Sequence, residues 1–104
     1  MSAARERLPN RRESETFTFL CGPHYYTATV SYFPGTDRIG EIFLGNSRVG
    51  SDADAAAKDS AVVASIALQH GVSVDVLRHA LLRDRRGVAS SPLGCALDLV
   101  VRRP

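Results

Sequence analysis

The sequence predicts an α+β fold in which a three-stranded antiparallel meander is followed by two or three helices packed on one face of the sheet. Two patterns carry this prediction: apolar and polar residues alternate along residues 16–44, and apolar residues recur at helical spacing after Gly45. The chain has 104 residues, of which 44% are hydrophobic and 23% charged, as expected for one folded domain.

Three runs rich in β-forming residues, at 16–21, 25–33 and 39–44, are the predicted strands. Alternation places one set of apolar side chains on a common face: Phe17, Phe19, Cys21, Tyr26, Ala28, Val30 and Tyr32. The opposite face of the second strand carries hydroxyl residues, so this side of the sheet is expected to be wet. The breaks at residues 22–23 and 34–37 are short, which favours an antiparallel meander.

The longest predicted helix runs from residue 52 to about residue 70. Ser51 suits an N-cap, and Gly71 suits a left-handed residue after the helix end. Apolar residues cover most of its circumference: Ala56, Ala57, Val62, Val63, Ile66, Ala67 and Leu68. The clear polar stripe consists of Asp54, Lys58, Ser65 and Gln69. Such a helix is expected to be buried on more than one side, against other helices or another subunit.

Two shorter helices complete the predicted domain, which spans residues 14–104. Ser73 caps the second helix, whose predicted inward residues are Val76, Leu77, Ala80 and Leu81. Pro92 opens the third, with inward positions Leu93, Ala96, Leu97, Val100 and Val101.

Residues 1–13 are predicted to be a flexible basic arm. The arm carries four arginines, but the net charge of the chain is only +2, which does not favour a nucleic-acid-binding protein. No apolar signal segment is present, and no apolar run approaches the roughly 20 residues needed to span a bilayer. We therefore expect a cytoplasmic protein with free thiols and no membrane attachment.

The loop 45–51, between the third strand and the long helix, is a candidate ligand or phosphate site. The candidate contacts are Asn46, Ser47, Arg48 and Ser51, with Arg11 and Arg12 from the arm. The glycines of the loop are spaced as in a phosphate-binding loop, but the lysine that should precede the serine is absent. Asp52 and Asp54 would also repel an anion, so an ordinary strand-to-helix turn is the favoured interpretation.

Five residues are candidate zinc ligands: Cys21, His24, His70, His79 and Cys95. Only Cys21 and His24 are close in sequence, and both cysteines fall among apolar residues. Core cysteines and surface histidines are therefore favoured, with no metal and no cofactor. No serine or cysteine has an identifiable neighbouring base, so no catalytic residue is assigned.

Three segments, residues 8–12, 40–44 and 61–72, carry a resemblance to a known family. They read Leu8-Pro9-Asn10-Arg11-Arg12, Gly40-Glu41-Ile42-Phe43-Leu44 and AVVASIALQHGV. In this order they resemble a region of the adenosylcobalamin-dependent (class II) ribonucleotide reductases that lies beyond the catalytic barrel. The chain is also similar to the small TSCPD-domain proteins, although Ser90-Ser91-Pro92 is the nearest equivalent of the Thr-Ser-Cys-Pro-Asp motif.

This resemblance implies a stand-alone accessory or regulatory domain in deoxyribonucleotide metabolism, acting by self-association or by docking on a reductase or another protein. It implies no reductase activity for this chain, because the barrel, the radical cysteine and the cobalamin site have no counterpart here. The alternatives are a small-ligand or nucleotide-binding module using loop 45–51 and a nucleic-acid-binding protein using the arm.

The apolar circumference of the long helix also predicts a homo-oligomer, most simply a dimer, assembled through the helical layer. Val63→Asp or Ile66→Asp is then expected to damage both assembly and stability, since each would bury an unpaired charge.

Overall fold

Three strands and three helices follow one another in the predicted order. The computed structural model describes residues 4–102; the first three residues of the predicted arm and the last two of the predicted domain lie outside the described residues. The elements are β1 Ser14–Cys21, β2 His24–Tyr32, β3 Ile39–Asn46, α1 Asp52–Gln69, α2 Val74–Ala80 and α3 Pro92–Arg102. The predicted α+β class is confirmed.

The three strands form one antiparallel sheet in the order β1-β2-β3. Gly22, at φ 58°, permits the two-residue turn between β1 and β2. The inner face is buried and forms half of the core, with Phe19, Tyr26, Ala28, Val30, Ile39, Ile42 and Leu44; the helices supply the rest. On the predicted wet face of β2, Thr27 is exposed and Thr29 is half-buried, but Ser31 is buried, 2% exposed, beside Ser14 of β1. The prediction is therefore wrong for the end of β2.

Two strands are longer than predicted. β1 begins at Ser14 rather than at residue 16, because Ser14 pairs with Ser31 and their hydroxyl oxygens lie 2.9 Å apart. β3 continues beyond residue 44 to Asn46, which pairs with Tyr26. The added residues include polar ones, and a prediction based on the alternation of apolar residues does not detect these.

The ends of α1 agree with the sequence signals. The Ser51 hydroxyl accepts a hydrogen bond from the N–H of Asp54 at 3.1 Å, as an N-cap does. His70 is the C-cap, and Gly71 follows in the left-handed region at φ 92°.

The side of α1 that faces the sheet differs from the one that its apolar residues suggest. Three members of the predicted polar stripe, Asp54, Ser65 and Gln69, are buried. Between them lie alanines and one leucine, all buried: Ala57, Ala61, Ala64 and Leu68. The larger apolar residues Val62 and Val63 are instead more than half exposed. Within the described chain, α1 is therefore buried on one side only.

The outer edge of β3 explains why polar side chains of α1 turn inward. The Ser65 hydroxyl accepts from the N–H of Ile42 at 2.9 Å and donates to its carbonyl at 3.0 Å. The Gln69 amide donates to the carbonyl of Gly40 at 2.8 Å, and the Asp54 carboxylate accepts from the N–H of Asn46 at 2.9 Å. A strand edge carries backbone groups that cost free energy if buried unbonded, and α1 supplies their partners.

The two short helices cover the inner face of the sheet less completely than predicted. Leu93, Ala96 and Leu97 of α3 are buried, as expected, but Val101 is exposed. α2 contains no buried residue, and its predicted inward residues Val76 and Ala80 are exposed. With only seven residues, α2 has a single half-buried side, formed by Val74, Leu77 and Arg78.

The described part of the predicted arm has no helix or strand, and it lies against β3 and the end of α1. The N–H of Glu6 donates to the carbonyl of Gln69 at 2.8 Å, and Arg5 donates to the Gln69 side chain. Arg12 forms an ion pair with Glu41 at 2.8 Å. The flexibility of the arm stays a prediction.

Candidate functional site

A stripe of exposed residues runs along the outer side of α1 and is the first candidate interaction surface. We call it the α1 seam; it consists of Asp59, Val63, Ile66 and His70, all exposed. Val63 is 68% and Ile66 38% exposed. The spacing of four, three and four residues is that of successive core positions in a heptad repeat. The seam therefore has the residue spacing of a helix–helix interface.

The loop 45–51, predicted as a possible ligand site, is folded around the carboxylate of Asp54. Asp54 accepts hydrogen bonds from the N–H groups of Asn46 at 2.9 Å and Gly50 at 3.0 Å. Lys58 donates to the same carboxylate. These three hydrogen bonds, led by that of Lys58, lower the pKa of Asp54 from 3.8 to about 2. An internal anion thus occupies the position at which a phosphate would meet the loop.

Several other predicted contacts of this loop are also bonded within the protein, although the buried Nδ2 of Asn46 has no hydrogen-bond partner among the described residues. The N–H of Ser47 bonds the carbonyl of Tyr25, and the N–H of Arg48 bonds the Asn46 side chain. The Ser51 hydroxyl donates to the carbonyl of Arg48 at 2.8 Å while it caps α1. Binding a phosphate here would require several of these bonds to open.

The two arm arginines are not brought to this loop. Arg12 bonds Glu41 and the carbonyl of Pro9, and Arg11 is exposed. Glu41 and Asn46 are five residues apart on β3, which corresponds to about 16 Å along a strand. The ligand site composed of loop and arm residues stays a prediction, and the geometry does not favour it.

A buried ion network holds α2, α3 and the segment between them together. Asp98 of α3 is 6% exposed. Its carboxylate accepts from Arg78 at 2.8 Å and from two nitrogens of Arg83 at 2.8 and 2.9 Å. These bonds, led by those of Arg83, hold the pKa of Asp98 well below its usual range. A carboxylate so fully paired is suited to holding structure and not to proton transfer.

The sequence analysis missed this network, although one signal for it exists. Asp98 is the only acidic residue among the apolar positions of α3, and a buried carboxylate needs a cationic partner. Several arginines precede it at residues 78–86, but the sequence does not specify which of them reach it.

The two cysteines meet in the structure. Cys21 ends β1 and Cys95 lies in the first turn of α3, and their sulfur atoms are 3.4 Å apart. Both side chains are half-buried, where the sequence analysis favoured core positions. Burial, followed by the hydrogen bond to Cys21, raises the pKa of the Cys95 thiol to about 12.

The other candidate zinc ligands do not join the cysteines. His24, His70 and His79 are all exposed. Among residues 4–102, no three His, Cys, Asp or Glu side chains converge as a metal site would require. That folding needs no zinc stays a prediction.

A cavity of about 790 Å³ opens beside the start of β1, the β2–β3 turn and the end of α1. Four acidic residues line it, Glu13, Glu15, Asp37 and Asp75, together with a single cationic one, Arg38. This charge opposes the binding of a phosphate or a nucleotide.

In the part of the chain that the structure covers, no helix is both long and apolar enough to cross a membrane.

Comparison with known proteins supports the predicted relationship. Over 75 residues, 72% of this chain, the sequence is 36% identical to the vitamin B12-dependent ribonucleotide reductase of Agrobacterium fabrum (strain C58 / ATCC 33970). The chain spans about 6% of the length of that reductase. No family model matches the chain, and no solved structure matches it significantly. The similarity to a region of such a reductase is thus supported, and membership of the TSCPD-domain proteins stays a prediction.

Proposed function

We propose that this chain is a non-catalytic accessory domain related to ribonucleotide reductase, which acts in deoxyribonucleotide metabolism by associating with a second copy of itself. The observation that carries the proposal is the α1 seam, where Val63 and Ile66 are exposed on the side of α1 that faces away from the sheet. An amphipathic helix normally turns its larger apolar residues toward the core. Here the inward positions serve the edge of β3, which leaves the apolar seam available for a partner.

The absence of catalysis is proposed from the size of the related region. The similarity covers 6% of a reductase, and reductase activity belongs to the whole of that protein. The buried ionisable groups Asp54 and Asp98 are fully occupied by internal hydrogen bonds. Deoxynucleotide production by the purified chain, supplied with cobalamin and a thiol reductant, would contradict this part of the proposal.

The seam is complementary to itself when two copies of α1 run antiparallel. Its four residues are symmetric about the midpoint between residues 64 and 65. About this midpoint, Val63 of one copy faces Ile66 of the second copy, and Asp59 faces His70. The ends of the seam are 11 residues apart, or about 16 Å along a helix. Two polar pairs would then flank an apolar centre, as expected for a two-fold interface.

Mass in solution tests the proposal directly. Light scattering from low to high micromolar concentration should show a monomer–dimer equilibrium for the natural chain. Val63→Asp should give a monomer that retains its fold, because the side chain is 68% exposed within the chain. This differs from the sequence-based expectation that the same change also damages stability. Val76→Asp is the matched control, since Val76 is 59% exposed on α2, away from the seam.

A charge exchange tests the antiparallel pairing itself. His70→Glu alone should weaken the dimer, because it places two carboxylates opposite each other across the interface. Asp59→Arg alone should also weaken it, because it removes the acceptor that faces the His70 side chain. The double variant should recover most of the affinity. A natural chain that is monomeric at every concentration would reject self-association. A monomer that instead binds a ribonucleotide reductase through the seam would assign the surface to a different partner.

A further inference from the structure

The meeting of Cys21 and Cys95 brings together two thiols from distant parts of the chain. They are separated by 74 residues in sequence, yet their sulfur atoms lie 3.4 Å apart at the contact between the end of β1 and the start of α3. Both side chains are half-buried, so they are held by packing and remain within reach of a small reagent. Cys21 directly precedes the exposed Gly22-Pro23 turn, so the pair lies near the surface of the protein.

The surroundings of the pair favour thiol chemistry over metal binding. No third potential ligand among the described residues joins the two sulfur atoms, and a zinc site requires four. For a disulfide, the two sulfur atoms must approach from 3.4 Å to about 2.0 Å, a displacement of about 1.4 Å.

We propose that Cys21 and Cys95 form a redox-active dithiol, which a disulfide reagent such as oxidised glutathione converts to an intramolecular disulfide joining β1 to α3. Cys21 loses its proton to water and attacks one sulfur of the reagent, so that the reagent's S–S bond breaks, a mixed disulfide forms and the released thiolate takes up a proton as a thiol. Cys95 then attacks the sulfur of Cys21, gives up its proton and releases the second thiol of the reagent. Two thiols of the protein are oxidised, and one disulfide of the reagent is reduced to two thiols.

The order of attack follows from the geometry of the pair. The Cys95 thiol donates its hydrogen bond to the sulfur of Cys21, and a second acceptor, the carbonyl of Ala89, lies 3.5 Å away. Cys95 therefore holds its proton, as its raised pKa also indicates. Cys21, which accepts the hydrogen bond, is the sulfur that reacts first, and Cys95 is the resolving thiol.

Mass spectrometry of the full chain, equilibrated in buffers of varied reduced and oxidised glutathione, tests the proposal. In buffers that still contain an excess of reduced glutathione, the mass of the natural chain should fall by that of two hydrogen atoms. Peptide mapping should then show a disulfide between Cys21 and Cys95. Cys95→Ser should instead accumulate one glutathione on Cys21. Cys21→Ser should react much more slowly, because its remaining thiol holds its proton.

Each alternative outcome overturns a stated part of the proposal. A natural chain that stays reduced, or forms its disulfide only when reduced glutathione is absent, would show that the pair is an ordinary packing contact. Disulfides only between separate chains would show that the sulfur atoms cannot close the bond. Equal glutathione addition to both single variants would reverse the assigned order of attack. Circular dichroism of both serine variants, which keep the size of the side chain, confirms that folded proteins are compared.

Discussion

Replacing Ser65 with alanine should destabilise the protein more than its small change in size suggests. The Ser65 hydroxyl is the partner of both backbone groups of Ile42 on the outer edge of β3, at 2.9 and 3.0 Å, and the residue is 7% exposed. Alanine has no group to replace these bonds, and α1 covers the site against water. The variant therefore leaves one N–H and one carbonyl buried without partners.

The magnitude follows from these two groups. Each buried unsatisfied polar group costs about 1–3 kcal/mol. Alanine recovers about 0.5 kcal/mol through its higher helix propensity. Two such groups cost about 2–6 kcal/mol, so we expect the free energy of unfolding to fall by about 1.5–5.5 kcal/mol in total. At about 5 °C per kcal/mol for a domain of about 100 residues, this corresponds to a decrease in Tm of roughly 8–28 °C.

Ser60→Ala provides a matched control on the same helix. The Ser60 hydroxyl donates to the carbonyl of Ala57 within α1 at 2.8 Å, so its removal leaves the sheet edge unchanged while the gain in propensity is the same. Urea unfolding followed by circular dichroism should show a large decrease for Ser65→Ala and little change for Ser60→Ala. If the two variants differ by less than about 0.5 kcal/mol, water or a shift of α1 replaces the lost bonds and the proposed role of Ser65 is wrong.

Three further predictions concern charge and packing. The Asp54 pKa is lowered from 3.8 to about 2, so its contribution to stability is present above about pH 4 and is lost as the pH falls toward 2; Asp54→Asn should flatten this part of an unfolding-midpoint profile against pH. Asp98→Asn should cost about 3–5 kcal/mol in urea unfolding, because Arg83 loses its ion pair and Arg78 keeps only its pair with Asp75. Glu6→Ala, which breaks an exposed ion pair with Arg38, should cost less than about 1 kcal/mol. Gly40→Ala would place a Cβ 2.8 Å from Leu8 and Phe33 and should lower the free energy of unfolding by about 1–3 kcal/mol. Adding Leu8→Ala should restore a measurable part of this loss. No recovery in the double variant would exclude Leu8 as a source of the clash.

The order of the elements and the ends of α1 were predictable because local signals determine them, whereas β1 and β3 extend beyond their predicted ends. Alternation located all three strands, and Ser51 with Gly71 located the ends of α1. Such signals depend on neighbouring residues, and a single sequence contains them. The glycine turns between the strands belong to the same class of signal.

The orientation of α1 was not predictable in this way. Apolar periodicity identifies the side of a helix that prefers to leave water, but the sheet edge demanded hydrogen bonds as well as apolar area. Ser65 and Gln69 form these hydrogen bonds with β3, which fixes the side of α1 that faces the sheet. Val63 therefore lies on the exposed side of the helix.

Contacts between side chains of distant elements were also not predictable from the sequence. The approach of Cys21 to Cys95 depends on how α3 crosses the sheet, and the network of Asp98 depends on the path of residues 81–90. No local pattern encodes either of these arrangements.

The hydrogen bonds between α1 and β3 also set a common length for the two elements. From Gly40 to Asn46 the strand advances by about 20 Å, and from Gln69 back to Asp54 the helix advances by about 22 Å. A residue inserted in either span would shift the contacts at one end of the pair relative to those at the other end. In the helix, the insertion would also rotate all later contact residues by about 100° around the helix axis. Related chains should therefore tolerate insertions and deletions outside residues 40–69 and inherit this strand and helix as one unit of fixed length.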